Sequence, residues 1–79
     1  MKALIYGKAN CPNCQKAKSL CESKGIIYEY KVVGTDVTRE QLEEHVGQPI
    51  RSVPQIFVMA DGFAEYVGGY PELRDRLNN

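Results

Sequence analysis

The sequence predicts an α/β domain with a mixed four-stranded sheet flanked by helices, in the order β-α-β-α-β-β-α. β-prone segments alternate with segments whose apolar residues recur at helical spacing, and the hairpin signal Asp61-Gly62 joins the last two β-prone segments. An early β-α-β unit implies parallel strands, whereas a late hairpin adds an antiparallel strand, so the predicted sheet is mixed. With 79 residues the chain has room for a single domain, which we expect to span residues 1–79.

The first predicted strand and helix enclose the motif Cys-Pro-Asn-Cys at residues 11–14. Residues 2–6 are apolar and β-prone, and Gly7 ends them. Proline is favoured at the first helical position and glycine after the last, so Pro12 and Gly25 mark the ends of a helix. One side of this helix has small or apolar residues and is expected to pack on the sheet: Cys14, Ala17, Leu20 and Cys21.

The middle of the chain predicts a half-exposed strand and then a short helix. Residues 26–33 are rich in β-branched and aromatic side chains, with charged residues interrupting one face. Thr38 and Gln41 have the spacing of a capping box, so the second helix is expected over residues 39–46.

The last third of the chain predicts a hairpin and a final helix. Residues 55–59 are apolar on both faces, which is typical of a central strand, and residues 63–67 return as its partner. Pro71 then opens a helix that has Leu73 and Leu77 on one side.

Composition and charge exclude several classes of protein. Hydrophobic residues make up 43% and charged residues 25% of the chain, a balance typical of soluble globular proteins. The formal net charge is 0, which gives no reason to expect nucleic acid or an anionic membrane surface as a partner. The apolar run at residues 3–6 is too short for a signal peptide or a membrane span. We therefore expect a cytoplasmic protein, and we expect it to be a monomer.

The two cysteines of the motif could hold a metal, close a structural disulfide or carry electrons. Cys11, directly before Pro12, is expected at the N-cap of the first helix, where the amides of Asn13 and Cys14 can donate to its sulfur. These amides, the helix dipole and the cation of Lys8 all lower the pKa of the Cys11 thiol. Cys11 is therefore the predicted nucleophile. Cys14, one turn further into the helix, is the predicted resolving thiol, and Pro12 and Asn13 form the helix opening.

A metal site within the chain is not expected, although Cys11, Cys14, Cys21 and His45 nominally supply four ligands. Cys21 lies seven residues beyond Cys14 on the same predicted helix, which places it about 10 Å away at a rise of about 1.5 Å per residue. Two sulfurs bound to one zinc must lie within about 5 Å of each other. Cys21 is thus expected in the core and His45 in solvent. A two-thiol metal site completed by another molecule stays open, as does a docking role for the dithiol.

Three blocks of the sequence together resemble the dithiol glutaredoxins, members of the thioredoxin-fold superfamily. They are residues 6–14 (Tyr-Gly-Lys-Ala-Asn-Cys-Pro-Asn-Cys), residues 52–58 (Ser-Val-Pro-Gln-Ile-Phe-Val) and residues 68–70 (Gly-Gly-Tyr). The blocks have the order and spacing of the family, and the elements between them match the thioredoxin-like arrangement. Thioredoxin itself is less similar, because this chain has no tryptophan and lacks the motif Cys-Gly-Pro-Cys.

The resemblance implies that glutathione binds beside the dithiol. Val53 would precede a cis Pro54 and would pair its backbone with the glutathione peptide as a short added strand. Lys8 and Arg51 would meet one carboxylate of glutathione.

The start of the last helix is implied to bind the other carboxylate of glutathione. Gly69 and Tyr70 would offer backbone N–H groups and the positive end of the helix dipole. Glu72 would take the place of the family's acidic residue. Two positions depart from the family pattern, because Pro71 replaces a frequent hydroxyl residue and Asn13 replaces a frequent tyrosine.

The implied function is a glutathione-dependent thiol–disulfide oxidoreductase that reduces protein disulfides and glutathione mixed disulfides. Glutathione would be the reductant, no cofactor would be bound, and ribonucleotide reductase is a protein substrate that the family implies. Pro12 argues against an iron–sulfur cluster, because cluster-bridged members mostly lack that proline. Two alternatives stay open: a redoxin of the same fold that thioredoxin reductase reduces, and a module that only binds a metal or a partner through its dithiol.

Overall fold

The computed structural model describes residues 1–78 and has the predicted α/β order. The strands are β1 (Lys2–Gly7), β2 (Ile27–Val32), β3 (Gln55–Ala60) and β4 (Phe63–Gly68). The helices are α1 (Pro12–Ser23), α2 (Arg39–Val46) and α3 (Tyr70–Asn78). The observed bounds lie within one or two residues of those that the sequence predicts.

The four strands form one mixed sheet in the order β2-β1-β3-β4. β1 pairs in parallel with β2 and antiparallel with β3, and β3 pairs antiparallel with β4. β3 is therefore central, as its continuous apolar pattern predicts, and residues 55–58 are buried. β2 and β4 are the edge strands and are largely half-exposed or exposed.

Each face of the sheet has its own apolar cluster. The cluster under α1 and α3 consists of Ala3, Ile5, Ala17, Cys21, Ile56, Val58 and Leu73. The cluster under α2 consists of Tyr6, Leu42, Ile50 and Phe57. Alternate residues of β1 serve opposite clusters because successive side chains of a strand point to opposite faces.

Cys21 lies in the core, as its position on α1 predicts. Its exposed fraction is 0%, and its side chain belongs to the cluster under α1 and α3. Burial, followed by the negative charge of Glu22, raises the pKa of the Cys21 thiol. The Cys21 sulfur is therefore protonated at neutral pH and inert.

Local signals in the sequence fix the ends of α2 and the hairpin. The Thr38 hydroxyl accepts a hydrogen bond from the Gln41 N–H at 3.0 Å, and the Gln41 side chain accepts from the Thr38 N–H at 2.8 Å. In the turn between β3 and β4, Asp61 and Gly62 have φ values of 53° and 82°, as a two-residue hairpin requires. Both predicted features, the capping box and the Asp-Gly hairpin, are confirmed.

Of the helices in the part of the chain that the structure describes, none combines the length and the apolarity needed to cross a membrane.

Replacing Thr38 by alanine should lower the free energy of unfolding by about 1 kcal/mol, because the first turn of α2 loses its side-chain acceptor. Urea denaturation of the variant checks this value. Thr35→Ala is the matched control, since Thr35 is exposed in the preceding turn and is not the α2 cap. Equal unfolding midpoints for the two variants would contradict the capping role.

Candidate functional site

Cys11 and Cys14 are joined by a disulfide at the start of α1. Cys11 is the N-cap residue, with extended backbone, and Pro12 follows at the first helical position. Of the two amides predicted to donate to the Cys11 sulfur, the amide of Cys14 does so at 3.2 Å. Cys11 is partly exposed and Cys14 is 0% exposed, so an incoming sulfur can approach only Cys11. Pro12 and Asn13 lie exposed in the same turn.

Gly7, the last residue of β1, provides the space in which the Cys14 sulfur lies. A Cβ atom placed on Gly7 would be 2.7 Å from Cys14 Sγ and would also collide with the hydroxyl of Tyr30. Real Cβ atoms do not come so close to other heavy atoms, so any side chain at this position would displace the sulfur or the tyrosine. The sequence marks Gly7 only as the end of a strand, and its role in the site was missed.

The loop between β1 and Cys11 is held by Tyr30, a residue of β2. The Tyr30 hydroxyl donates a hydrogen bond to the Lys8 carbonyl at 2.9 Å. Burial raises the pKa of Tyr30, so the phenol keeps its proton and remains a donor. The ammonium of Lys18, on α1, lies 4.6 Å from the centre of the tyrosine ring. Tyr30 was predicted only as a strand residue.

The segment before β3 lies beside the dithiol. The carbonyl oxygen of Val53 is 3.7 Å from Cys11 Sγ, and the Val53–Pro54 peptide bond is cis, as the family resemblance implies. The buried side chain of Gln55 fixes this segment, because its Nε2 donates to the Ser52 carbonyl at 2.7 Å. The hydroxyl of Tyr66 donates to Gln55 Oε1. The orientation of Val53 therefore depends on both strands of the hairpin.

A groove of about 370 Å³ runs from the dithiol loop along the same segment. Its lining includes three of the predicted binding residues, Lys8, Arg51 and Val53. Arg39 also lines it, which the sequence did not indicate. The groove thus combines the cations of Lys8 and Arg51 with Arg39, whose charge is paired with Glu43. This lining is suited to a ligand carboxylate.

Hydrogen bonds from α2 fix one wall of this groove. Arg39 Nη2 donates to the Ile50 carbonyl at 2.8 Å, and Glu43 accepts from the Ile50 N–H at 3.0 Å and from Arg39 Nε at 3.2 Å. The Ile50 N–H, and after it Arg39, holds the pKa of Glu43 below its usual range. The ionised Glu43 therefore anchors the chain directly before Arg51.

The start of α3 lies against the other side of Pro54. A Cβ atom on Gly69 would be 3.6 Å from the Pro54 carbonyl oxygen, so the two segments are in contact. The Gly69 N–H, which was expected to face a ligand, donates to Glu72 Oε1 at 2.8 Å. Pro71 has no N–H group. A ligand carboxylate at this helix start would therefore compete with Glu72 or use the remaining amides.

Tyr70, the first residue of α3, has two cations near its ring. Lys16 Nζ is 5.9 Å and the Arg74 guanidinium carbon is 5.8 Å from the centre of its ring. The contact with Lys16 ties the start of α3 to α1.

Within residues 1–78, no group of three or more His, Cys, Asp or Glu side chains is placed to hold a metal ion. His45, the only histidine of the sequence, is exposed on α2 and lies against the ring of Phe57, with 4.8 Å between the ring centroids. It therefore lies on the α2 face of the sheet, away from the free thiol of Cys21.

Comparisons with known proteins agree with this geometry. A family model described as Glutaredoxin matches residues 3–63. The chain belongs to the glutaredoxin family. This glutaredoxin is 33% identical over 78 residues to Glutaredoxin 1 of Escherichia coli (strain K12), a match that covers 91% of this chain and 87% of the relative. The family and the Cys11–Cys14 pair together make the protein a thiol–disulfide oxidoreductase, and the resemblance predicted from its sequence is confirmed.

Solved structures show the same fold. The structure of reduced Escherichia coli glutaredoxin matches with a TM-score of 0.80 and 32% identity over 99% of this chain and 94% of that one. A buckwheat glutaredoxin–glutathione complex matches with a TM-score of 0.66 and 22% identity over 96% of this chain and 67% of that one. The thioredoxin-like arrangement predicted from the order of elements is thereby confirmed.

Replacing Gly7 by alanine should destabilise the oxidised protein by about 1–3 kcal/mol, because the new methyl group overlaps the Cys14 sulfur. It should also change the equilibrium between disulfide and dithiol in dithiothreitol buffers. Gly25→Ala is the control, since its φ of 67° strains the backbone while nothing lies within 4 Å of the added atom. If both variants leave the disulfide equilibrium unchanged, the predicted overlap has no bearing on the dithiol.

Proposed function

We propose that this glutaredoxin reduces protein disulfides and glutathione mixed disulfides with glutathione as its electron donor. The observation that carries the proposal is the position of the partly exposed Cys11 sulfur, 3.7 Å from the Val53 carbonyl, beside a groove lined by Lys8 and Arg51. An extended peptide backbone at Val53 can pair with the peptide part of glutathione and align its sulfur with Cys11. The binding of glutathione by a related protein of the same fold supports this assignment.

Cys11 is the nucleophile in the proposed reaction. In the dithiol form its thiolate accepts the Cys14 N–H and lies at the positive end of the α1 dipole, and both effects favour the charged sulfur. The thiolate attacks one sulfur of the substrate disulfide, and the other substrate sulfur leaves as a thiolate and takes up a proton. A mixed disulfide between Cys11 and the substrate results.

Cys14 resolves the mixed disulfide formed with a protein. Its thiol loses a proton, the Cys14 sulfur attacks Cys11 Sγ, and the substrate sulfur leaves and is protonated. The substrate is then reduced and the Cys11–Cys14 pair is oxidised to the disulfide seen in the structure. Two molecules of glutathione return the pair to the dithiol and leave as glutathione disulfide. For a glutathione mixed disulfide, Cys11 and a second glutathione suffice.

The two carboxylates of glutathione are assigned to opposite ends of the site. Lys8 and Arg51 bind one of them in the groove. Gly69, Tyr70 and Glu72 are assigned to the γ-glutamyl end at the start of α3. There the ligand carboxylate competes with Glu72 for the Gly69 N–H, and Glu72 faces the ligand ammonium group. Pro54 keeps the Val53 backbone beside Cys11. Ribonucleotide reductase is one protein substrate that membership of this family implies.

One observation favours a second candidate, a redoxin that takes its electrons from thioredoxin reductase. The Gly69 N–H is already bonded to Glu72, and Pro71 supplies no N–H, so the α3 start has fewer free donors than a carboxylate site usually has. Weak binding of glutathione would then leave protein reductases as the better donors.

The electron donor and the division of labour are tested in one assay. With a small glutathione mixed disulfide as substrate, glutathione should support turnover by the wild type and by Cys14→Ser, whereas Cys11→Ser should lose activity to the uncatalysed rate. With a protein disulfide, both variants should be inactive, because the intermediate cannot form or cannot be resolved. Turnover that only thioredoxin reductase supports would reject glutathione dependence and favour the second candidate.

Removing either groove cation should weaken glutathione binding. Lys8→Ala and Arg51→Ala should each raise KM for glutathione about fivefold with little change in kcat, because an exposed charge contact contributes about 1 kcal/mol to ground-state and transition-state binding alike. Lys24→Ala removes an exposed cation at the opposite end of α1 and is the matched control. A rise in KM of the same size in the control would show that the overall charge, not the groove, attracts glutathione.

A further inference from the structure

We infer that Tyr30 is a positioning residue for the Cys11–Cys14 pair: it holds Cys11 where Cys14 can reach it, and so favours formation of the disulfide. The inference rests on the proposed division of labour between the two cysteines. It assigns a function to a β2 side chain that takes no part in the bond changes of the proposed mechanism.

Tyr30 contacts the loop that leads to Cys11 and also borders the space that the Cys14 sulfur occupies. Its hydroxyl donates to the Lys8 carbonyl at 2.9 Å, in the loop that leads to Cys11. Its Cζ atom lies 3.0 Å from the position that a Cβ on Gly7 would occupy, and Cys14 Sγ lies 2.7 Å from the same position. One side chain therefore borders the Cys14 sulfur and fixes the backbone before Cys11.

The two cysteines need this support to different degrees. Cys14 is already fixed, because it is fully buried within α1. Cys11 is the N-cap, and the chain before it is a loop in which Asn10 has a left-handed backbone with φ of 58°. On the helix side, the Cys14 N–H holds the Cys11 sulfur at 3.2 Å. On the loop side, the hydrogen bond from Tyr30 to the Lys8 carbonyl restrains the backbone that leads to Cys11.

The environment of Tyr30 keeps it in place for this role. Its backbone pairs with Ile5 in the middle of the β1–β2 ladder, and its side chain packs against the cluster under α1 and α3. The ammonium of Lys18 lies over the ring, 4.6 Å from its centre. A side chain of the sheet thus supports the loop end of the dithiol motif.

The loss of the Tyr30 hydroxyl should affect the step in which Cys14 resolves the mixed disulfide. The Cys14 sulfur attacks Cys11 Sγ, the bond between Cys11 and the substrate breaks, and the departing substrate sulfur takes up the proton that Cys14 lost. Without the Tyr30 hydroxyl, the loop and Cys11 sample more positions, and closing the pair costs more entropy. The effective concentration of one sulfur at the other then falls, while attack by Cys11 on an external disulfide is little affected.

Tyr30→Phe tests the inference, because it removes the hydroxyl and keeps the ring. Proteins are equilibrated in buffers of reduced and oxidised dithiothreitol, and the thiols are counted by alkylation and mass spectrometry. We expect the equilibrium to shift two- to fivefold toward the dithiol; fivefold is the limit reached if the hydrogen bond, of about 1 kcal/mol, forms only when the pair is oxidised. Resolution of a mixed disulfide at Cys11 should slow by a similar factor. A shift below twofold would overturn the inference.

Tyr28→Phe is the matched control on the same strand. The Tyr28 hydroxyl donates to Glu22 Oε2 at 2.7 Å, at the C-terminal end of α1 and away from the loop before Cys11. This variant should leave the dithiothreitol equilibrium unchanged. An equal shift in both tyrosine variants, or a loss of stability in Tyr30→Phe without any shift, would mean that Tyr30 is only a structural residue.

Two further measurements make the test complete. In a Cys14→Ser background, Tyr30→Phe should reduce a glutathione mixed disulfide within twofold of its parent, because Cys11 acts alone there. Lys18→Met leaves the hydroxyl but removes the cation over the ring, and should shift the equilibrium about twofold in the same direction. If Tyr30→Phe does not fold, an unshifted Lys18→Met overturns the inference. The dithiothreitol equilibrium contains no glutathione, so its result stands even if glutathione is not the electron donor.

Discussion

The site depends on the close approach of the first turn of α1 to the end of β1. Gly7 has no side chain, and the sulfur of Cys14 lies in the space that a Cβ would fill. This contact buries Cys14 completely and fixes the rotation of α1 about its axis. Cys11, three residues earlier, is then directed to the surface at the N-cap. The contrast between a shielded sulfur and an accessible one, on which the chemistry rests, is therefore a result of packing.

Each helix controls a different part of the site. α1 carries the dithiol, α2 fixes the chain before Arg51 through Glu43, and α3 brings Gly69 against Pro54. The sheet fixes the relative positions of these three helices, because all three pack on it and β1 and β3 are its central pair. The three site segments are distant in sequence, so no short peptide from the chain would reproduce their arrangement. The positive charge of the site is likewise collected from several elements.

Local signals in the sequence were sufficient for the elements and for part of the site. The proline at position 12 and the capping box of Thr38 act within one helical turn, so α1, α2 and the N-cap position of Cys11 could be predicted. The cis bond before Pro54 needed the family resemblance, because few X–Pro bonds are cis. The parts played by Gly7 and Tyr30 could not be predicted, because they arise where β1, β2 and α1 meet and leave no local pattern.

This chain has a third thiol, Cys21, which could form a wrong disulfide with either cysteine of the reactive pair. Cys21 lies on the same helix as Cys14, about 10 Å further along at about 1.5 Å per residue. Burial keeps its proton on and its sulfur out of reach of Cys11 and of any bound substrate. The native fold thus prevents self-inactivation by internal disulfide shuffling. Once the chain unfolds, this protection is lost, so the working lifetime of the protein is coupled to the rate at which it opens.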